Sequence, residues 1–244
     1  MRIFGLIGFP LTHSFSKSYF SNKFALENIQ DAQYQNFELS EIELIREVLI
    51  DKNLCGLNVT IPYKQAVIPY LDSLDVAAKE IGAVNTIKRV NSKFVGYNTD
   101  YVGFEQSLKE KLQPYHTHAL VLGSGGAAKA VQYVLKKNNI DFLNISRKES
   151  IDTITYNQIT PQIFKKYSLI INTTPLGMYP NIDSCPNLPY HLITPQHYLY
   201  DLVYNPEETM FLNYGKKFGA KTKNGLDMLQ LQAEEAWKIW NKNI

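Results

Sequence analysis

The stretch Ala119-Leu-Val-Leu-Gly-Ser-Gly-Gly-Ala-Ala-Lys-Ala130 organises the chain. Ala119 to Leu122 is a short apolar run without helical period, which reads as a buried parallel strand. Gly123, Gly125 and Ala128 then give G-x-G-x-x-A, and Val131, Val134 and Leu135 continue at helical spacing. Strand, glycine turn and helix in this order are the context of a dinucleotide site. Gly123 permits the sharp turn, Gly125 lets the backbone approach a pyrophosphate, and Ala128 lets the helix pack close to the strand. The helix N-terminus offers N–H groups and partial positive charge to the phosphates. Taken alone, the motif also fits an ordinary glycine-rich turn of an α/β protein; the flanking pattern favours the cofactor.

The 244 residues allow one large domain or two modest ones, since domains commonly run ~100–200 residues. A net charge of +2 gives no reason to expect a nucleic acid. Cys55 and Cys185 form no close-spaced pair, which fits a reducing compartment rather than a disulfide framework or zinc site. No apolar run approaches the ~20 residues of a membrane helix. The first ten residues are apolar but broken by Gly5, Gly8 and Pro10, so they read as a strand rather than a secretion signal. A cytoplasmic protein is expected.

In chain order, Ile3–Ile7 reads as a first strand. The hydroxyl cluster Ser14-Phe-Ser16-Lys-Ser18 leads into a helix, with Ser16 or Ser18 as N-cap. Capping is the favoured local role of these serines; the functional alternative is that Ser14 and Ser16 hold a small anion. Tyr34–Leu39 reads as a strand, and Ser40 as the cap of a helix to about Leu49. Leu54–Thr60 is a third strand, followed by Ile61-Pro-Tyr-Lys64. A lysine just past a strand end stands where open α/β sheets bind ligands, although by itself Lys64 reads as a solvated charge. Gly82–Ile87 and Phe94–Asp100 read as two strands around a turn at Asn91. Their polar residues Asn85, Asn98 and Asp100 need partners if buried, and a polyhydroxylated substrate is one source.

After the helix Tyr101–Leu112, the polar segment Gln113–His118 reads as a connector between domains. The second strand of the dinucleotide unit, Asp141–Ile145, ends in Ser146-Arg147-Lys148, ~20 residues past the glycine turn, where NAD proteins carry an acid for the ribose 2′-OH. An acid would repel a 2′-phosphate, whereas Arg147 can pair with one, so NADP is preferred. Surface charge remains the alternative for Arg147, with Glu149 nearby. The stretch Leu169–Met178 reads as a buried strand ending in a polar proline-glycine loop, Tyr198–Pro206 as another strand ending in a turn, Thr209–Phe218 as a helix, Lys221–Lys223 as a last short strand, and Leu229, Ala233, Ala236 and Trp240 as the packing face of a final helix.

The chain resembles the shikimate dehydrogenases. Gly8-Phe-Pro-Leu-Thr-His-Ser-Phe-Ser16 is similar to G-x-P-x-x-H-S-x-S, Asn58-Val-Thr-Ile-Pro-Tyr-Lys64 to N-V-T-x-P-x-K, Gly82–Thr86 to G-A-V-N-T, and Gly96–Asp100 to G-x-N-T-D. Asn172–Met178 and the Asn224-Gly-Leu segment through Gln232 follow in family order. The resemblance implies an α/β protein of two domains: a substrate domain of residues 1–100 plus 225–244, to which the C-terminal helix returns, and a Rossmann-type NADP domain of residues 101–224. It implies a site in the cleft between them and reversible reduction of 3-dehydroshikimate to shikimate by NADPH, toward aromatic amino acids. Residue by residue, it implies that Ser14, Ser16 and Tyr204 hold the substrate carboxylate, and that Thr60, Asn85, Asp100 and Gln232 bind its hydroxyls with Lys64. Lys64 is then the acid/base and Asp100 its partner. Gly123, Ser124, Gly125, Gly126, Ala127, Ser146, Arg147, Leu202 and Gly225 line the cofactor. Hydride arriving at a ketone leaves an alkoxide, which an ammonium stabilises and protonates. The nicotinamide carries the hydride, so no metal is expected. A monomer or homodimer is expected, binding a small molecule, with no membrane partner.

Lys17 stands where the family usually has Pro, Ser146-Arg147-Lys148 where N-R-T is common, and Ser124 where Ala is common. The rivals are an NAD-linked quinate/shikimate dehydrogenase, a silent dinucleotide-binding protein of the same fold, and a folate-linked dehydrogenase. Lys64 and Asp100 together disfavour the second; the serines and G-x-N-T-D disfavour the third.

Overall fold

The computed structural model describes residues 1–11 and 15–242. Ser14, expected at the substrate carboxylate, lies outside the described residues, as does His13. Two compact units emerge: Met1–Thr99 with the segment from Ala233 onward, and Asp100–Gln232.

The first unit contains β1 (Arg2–Gly8), α1 (Phe15–Leu26), β2 (Ala32–Glu38), α2 (Ile45–Leu49), β3 (Leu54–Val59), β4 (Ser73–Leu74), α3 (Val76–Ile81), β5 (Thr86–Val90) and β6 (Lys93–Tyr97). The sheet order is β2-β1-β3-β5-β6-β4. β1 runs parallel to both β2 and β3, while β5 is antiparallel to β3 and β6. The central strands are apolar on both faces because both are covered. Ile7, Leu57, Val59 and Ile87 form one core; Phe4, Leu6, Phe20 and Phe24 form the other, with Ala233, Ala236 and Trp240 of the last helix. Trp240 stacks on Phe4 at 4.8 Å, and its indole N–H donates to the Ile87 carbonyl at 2.9 Å.

The second unit contains α4 (Asp100–Lys109), β7 (His118–Leu122), α5 (Gly126–Lys137), β8 (Asp141–Ser146), β9 (Thr153–Thr155), α6 (Pro161–Lys166), β10 (Leu169–Asn172), β11 (Tyr198–Asp201), α7 (Met210–Lys217) and β12 (Lys221–Lys223); α8 (Leu226–Asn241) begins here and ends in the first unit. The order β12-β11-β10-β7-β8-β9 is parallel at every pairing. Numbered from β7 it is 3-2-1-4-5-6, the doubly wound dinucleotide order, with its switch point between β7 and β10. Ala119 and Val121 face one core and Leu120 and Leu122 the other, so the apolar run is buried on both sides. The protein is thus an α/β chain with a Rossmann-type second sheet.

Several local expectations are corrected. α1 starts at Phe15, so Ser16 and Ser18 lie inside it and neither is its N-cap. Leu39 is tied to Gly8 at the strand end, and Glu41 takes the extended cap backbone of a 3-10 turn, Ile42–Leu44, that leads into α2; Ser40 is one residue too early to cap it. Gly82 is the left-handed C-cap of α3 (φ 67°), so Gly82–Asn85 is loop and the strand begins at Thr86. Asp100 heads α4 instead of ending β6. Asp75 caps α3 by accepting from the Ala78 N–H at 2.8 Å.

Candidate active site

In the second unit the site is built from backbone. Gly123 has φ +111°, in the region that favours glycine. A Cβ there would lie 2.6 Å from Thr173 Oγ1. Thr173 in turn donates from its N–H and its hydroxyl to the Leu122 carbonyl, at 2.9 and 2.7 Å. The turns after β7 and β10 are therefore laced together at the switch point. Gly125 is the extended N-cap of α5 and supplies no capping side chain. Nothing lies within 4 Å of where its Cβ would be. The α5 N-terminus thus opens onto space without a side chain, which fits a pyrophosphate. Ser124 is exposed, Gly126 and Ala127 are half-buried, and Ala128 is buried against the core.

At the end of β8, Ser146 Oγ donates to the Lys148 carbonyl at 2.6 Å and accepts from its N–H at 3.1 Å. This local turn leaves Arg147 exposed at its apex. Glu149, the acid that competes with the 2′-phosphate reading, accepts from Gln158 Nε2 at 2.9 Å, and Gln158 is itself fixed by accepting from the Thr155 N–H at 2.6 Å. At the other end of the sheet, the Leu202 N–H donates to the Asn172 carbonyl at 2.9 Å and the Gly225 N–H to the Val203 carbonyl at 3.1 Å. A Cβ on Gly225 would sit 2.1 Å from the Leu202 carbonyl oxygen, so only glycine fits. Tyr204 is half-buried, and burial pushes its phenol up. Gln232 is buried, its Nε2 donating to the Leu229 carbonyl at 2.9 Å. Asp100 is buried at the head of α4.

In the first unit the corresponding region is built from side chains. Thr60 follows β3 and donates its N–H to the Ile7 carbonyl at 2.9 Å. Tyr63 anchors the next turn, its hydroxyl donating to the Leu39 carbonyl at 2.6 Å. Lys64 is half-buried, and its carbonyl accepts from the Val84 N–H at 2.7 Å, which fixes it beside the Gly82–Asn85 loop. Asn85 accepts from the Thr99 N–H at 2.6 Å and from Thr86 Oγ1 at 3.2 Å, and donates to Thr99 Oγ1 at 3.0 Å. Asn58 donates to Thr86 Oγ1 at 3.3 Å and accepts from the Tyr34 hydroxyl at 2.7 Å. Asn98 donates to the Ala83 carbonyl at 2.9 Å. Burial pushes the Tyr34 phenol up, and a hydrogen bond from Ser16 opposes it. Asn58, Asn85, Thr86 and Thr99 are thus linked in one buried network. From the sequence, Asn58 and Thr86 are legible only as members of motifs and Tyr34 only as the start of a strand; a polar residue at a buried strand position, as in the second place before Thr60, is the available signal.

Among the described residues no three His, Cys, Asp or Glu side chains gather into a metal site, and no helix is long and apolar enough to cross a membrane.

Comparison with known proteins matches residues 6–87 to the shikimate dehydrogenase substrate-binding domain. The NADP(+)-dependent shikimate dehydrogenase of Desulforamulus reducens is 38% identical, over 98% of this chain and 89% of that one. The shikimate dehydrogenase of Aquifex aeolicus superposes with a TM-score of 0.88 at 36% identity, covering 99% of this chain and 92% of that one. Shikimate 5-dehydrogenase of Thermus thermophilus, solved with NADP(H) and shikimate, does so with a TM-score of 0.85 at 30% identity, covering 99% and 94%. A parallel sheet in dinucleotide order, a glycine turn open at the helix N-terminus, and likeness along nearly the whole chain lead to one assignment: the protein belongs to the shikimate dehydrogenase family.

Proposed function

We infer that the chain catalyses the reversible NADPH-linked reduction of 3-dehydroshikimate to shikimate, in the route to chorismate and the aromatic amino acids. The observation that carries this reading is 38% identity to an NADP-dependent shikimate dehydrogenase over 98% of the chain, so that motifs of both units occur together and in order. Bound NADPH supplies the hydride.

Lys64 stabilises the negative charge that grows on the ketone oxygen and delivers the proton to it; in the reverse direction it takes the proton from the hydroxyl. Asp100 is its partner carboxylate. Thr60, Asn85 and Gln232 select the substrate hydroxyls, and Ser14, Ser16 and Tyr204 hold its carboxylate. Asn85 enters this role with its amide already oriented by Thr86 and Thr99, a support for precise placement. Gly123 to Ala127 receive the pyrophosphate on N–H groups. Ser146 and Arg147 take the adenosine end, and Leu202 and Gly225 the other. The restraint of Glu149 by Gln158 supports NADP over NAD. The enzyme acts on this small molecule in the cytoplasm, as a monomer or homodimer.

The test is dinucleotide absorbance with purified protein and shikimate, offering NADP and NAD in parallel, then quinate. Turnover with shikimate and NADP is expected. Preference for NAD, or comparable use of quinate, would reassign the protein to the quinate/shikimate enzymes, and no turnover in a folded, dinucleotide-binding sample would reassign it to a silent binding protein.

A further inference from the structure

Asp201 is the last residue of β11 and has no solvent exposure. Its Oδ1 accepts from Asn172 Nδ2 at 2.9 Å and from the Val203 N–H at 3.0 Å; its Oδ2 accepts from Thr209 Oγ1 at 2.6 Å. Each donor belongs to a different segment. Asn172 ends β10, and its own Oδ1 accepts from the N–H and hydroxyl of Thr174, at 3.1 and 2.6 Å, which shapes the following loop. Thr209 caps α7 through the Leu212 N–H, and a Cβ on Gly177 would lie 3.2 Å from the Thr209 Cβ, so the same loop rests on it. Val203 stands between Leu202 and Tyr204. One buried carboxylate therefore joins the loop after β10, the backbone after β11 and the head of α7.

These segments lie at the carboxyl ends of the strands on one side of the switch point. Arg147 follows the end of β8 on the other side, where the adenosine is held in this fold. The nicotinamide end therefore falls to the β10 and β11 side. We propose that Asp201 is the positioning residue of the dinucleotide site, presetting the loops that receive the nicotinamide end. The inference rests on the dinucleotide-dependent reading above.

Burial pushes the Asp201 carboxyl up to about 6, against the pull of its three hydrogen bonds. The titratable groups that feel its charge are Tyr190 and Tyr200, both phenols pushed well above their ordinary value, chiefly by burial. Leu169–Asn172 of β10 contributes no titratable group. Asp201 thus titrates alone among these groups near neutral pH. Protonation keeps the shape of the carboxyl but removes the charge that strengthens its hydrogen bonds.

Asp201→Asn imitates the protonated group: its oxygen accepts from Asn172 and Val203 while its amide donates to Thr209. The variant should fold and bind both NADP and NAD about five- to tenfold more weakly at pH 8, the loss expected for charge-assisted bonds. Affinity for NAD, which lacks a titrating 2′-phosphate, should weaken in the wild type as pH falls through about 6 and stay flat in the variant. Wild-type affinity in the variant, or an unchanged pH profile, overturns the proposal. If the amide variant does not fold, Thr209→Val should weaken NAD binding and Thr209→Ser should not; equal affinities overturn it. Wild-type protein that binds neither dinucleotide overturns the underlying functional reading as well, which separates the two failures.

Discussion

The two sheets offer opposite surfaces near the ends of their parallel strands. After β3 and before β5 the first presents side chains, with Asn58, Asn85, Thr86 and Thr99 locked in a buried network and Lys64 half-buried beside it. After β7 the second presents bare backbone, with Gly125 facing open space. Discriminating hydroxyls and moving a proton require side chains of fixed direction. Holding a diphosphate requires N–H groups and room. The contrast implies a division of labour between two regions: substitutions at the side-chain network and Lys64 of the first unit should act on turnover and shikimate, and those at the glycine turn after β7 on the dinucleotide.

The largest effect is expected at Lys64. Lys64→Ala should lower kcat by about 10³-fold, within the range for loss of a general acid. Near-normal turnover would remove Lys64 from the chemistry. Next come two glycines that separate stability from binding. Gly225→Ala forces a Cβ to within 2.1 Å of the Leu202 carbonyl oxygen, and should lower stability in urea by about 1–3 kcal/mol. Gly125→Ala meets nothing within 4 Å; it should change stability by no more than about 0.5 kcal/mol while weakening NADP about tenfold, because the methyl fills the phosphate space. Equal effects of the two glycine substitutions on stability would contradict the cradle. Asn85→Ala strands the Thr99 N–H and should destabilise by about 1–3 kcal/mol, raising KM for shikimate but not for NADP. Arg147→Ala should reduce the NADP-over-NAD ratio by about tenfold through NADP alone; a matching loss for NAD would mean that Arg147 does not read the 2′-phosphate.

The smallest effect concerns pH and belongs to the second unit. Burial holds the imidazoles of His116 and His197 below the ordinary 6.5. Each Nδ1 accepts a backbone N–H, from Gln113 at 2.9 Å and Thr194 at 3.1 Å, so protonation there would break both bonds. The unfolded chain therefore binds more protons than the folded one below about pH 6.5, and stability falls as pH drops through that value. Asp201 works in the opposite sense, since its raised carboxyl favours the folded state as it protonates. The difference in urea midpoint between the wild type and His116→Gln/His197→Gln, measured at pH 7.5 and 5.5, isolates the histidines. The expected result is a wild-type midpoint that falls more steeply on acidification.

Legibility in the sequence followed how local the cause was. The Rossmann unit could be read because Ala119–Leu122 and Leu169–Ile171 are continuous apolar runs and Gly123 imposes its turn alone. Caps failed by single residues: Ser40 carries the right hydroxyl, but strand pairing at Leu39 hands the cap position to Glu41. β4 and β9, of two and three residues, are too short to carry a period. At the site, Lys64 and Asn85 stand in recognisable motifs. Asn58, Thr86 and Thr99 stand in such motifs too, but their joining into a network that orients Asn85 is not legible there, because its hydrogen bonds form across strands paired only in the folded sheet. Within the stretch Tyr198–Pro206, Asp201 carries no signal of its role for the same reason: two of its partners, Asn172 and Thr209, reach it through tertiary contact.

The most direct test is NADP binding to Lys64→Ala and Gly125→Ala, titrated side by side with the wild type under the conditions of the turnover assay. The account predicts wild-type affinity in the lysine variant despite its lost turnover, and weakened affinity in the glycine variant, with turnover recovered at saturating NADP. Weakened NADP binding in Lys64→Ala, or wild-type binding in Gly125→Ala, would contradict the division of labour between the lysine-bearing region after β3 and the glycine turn after β7.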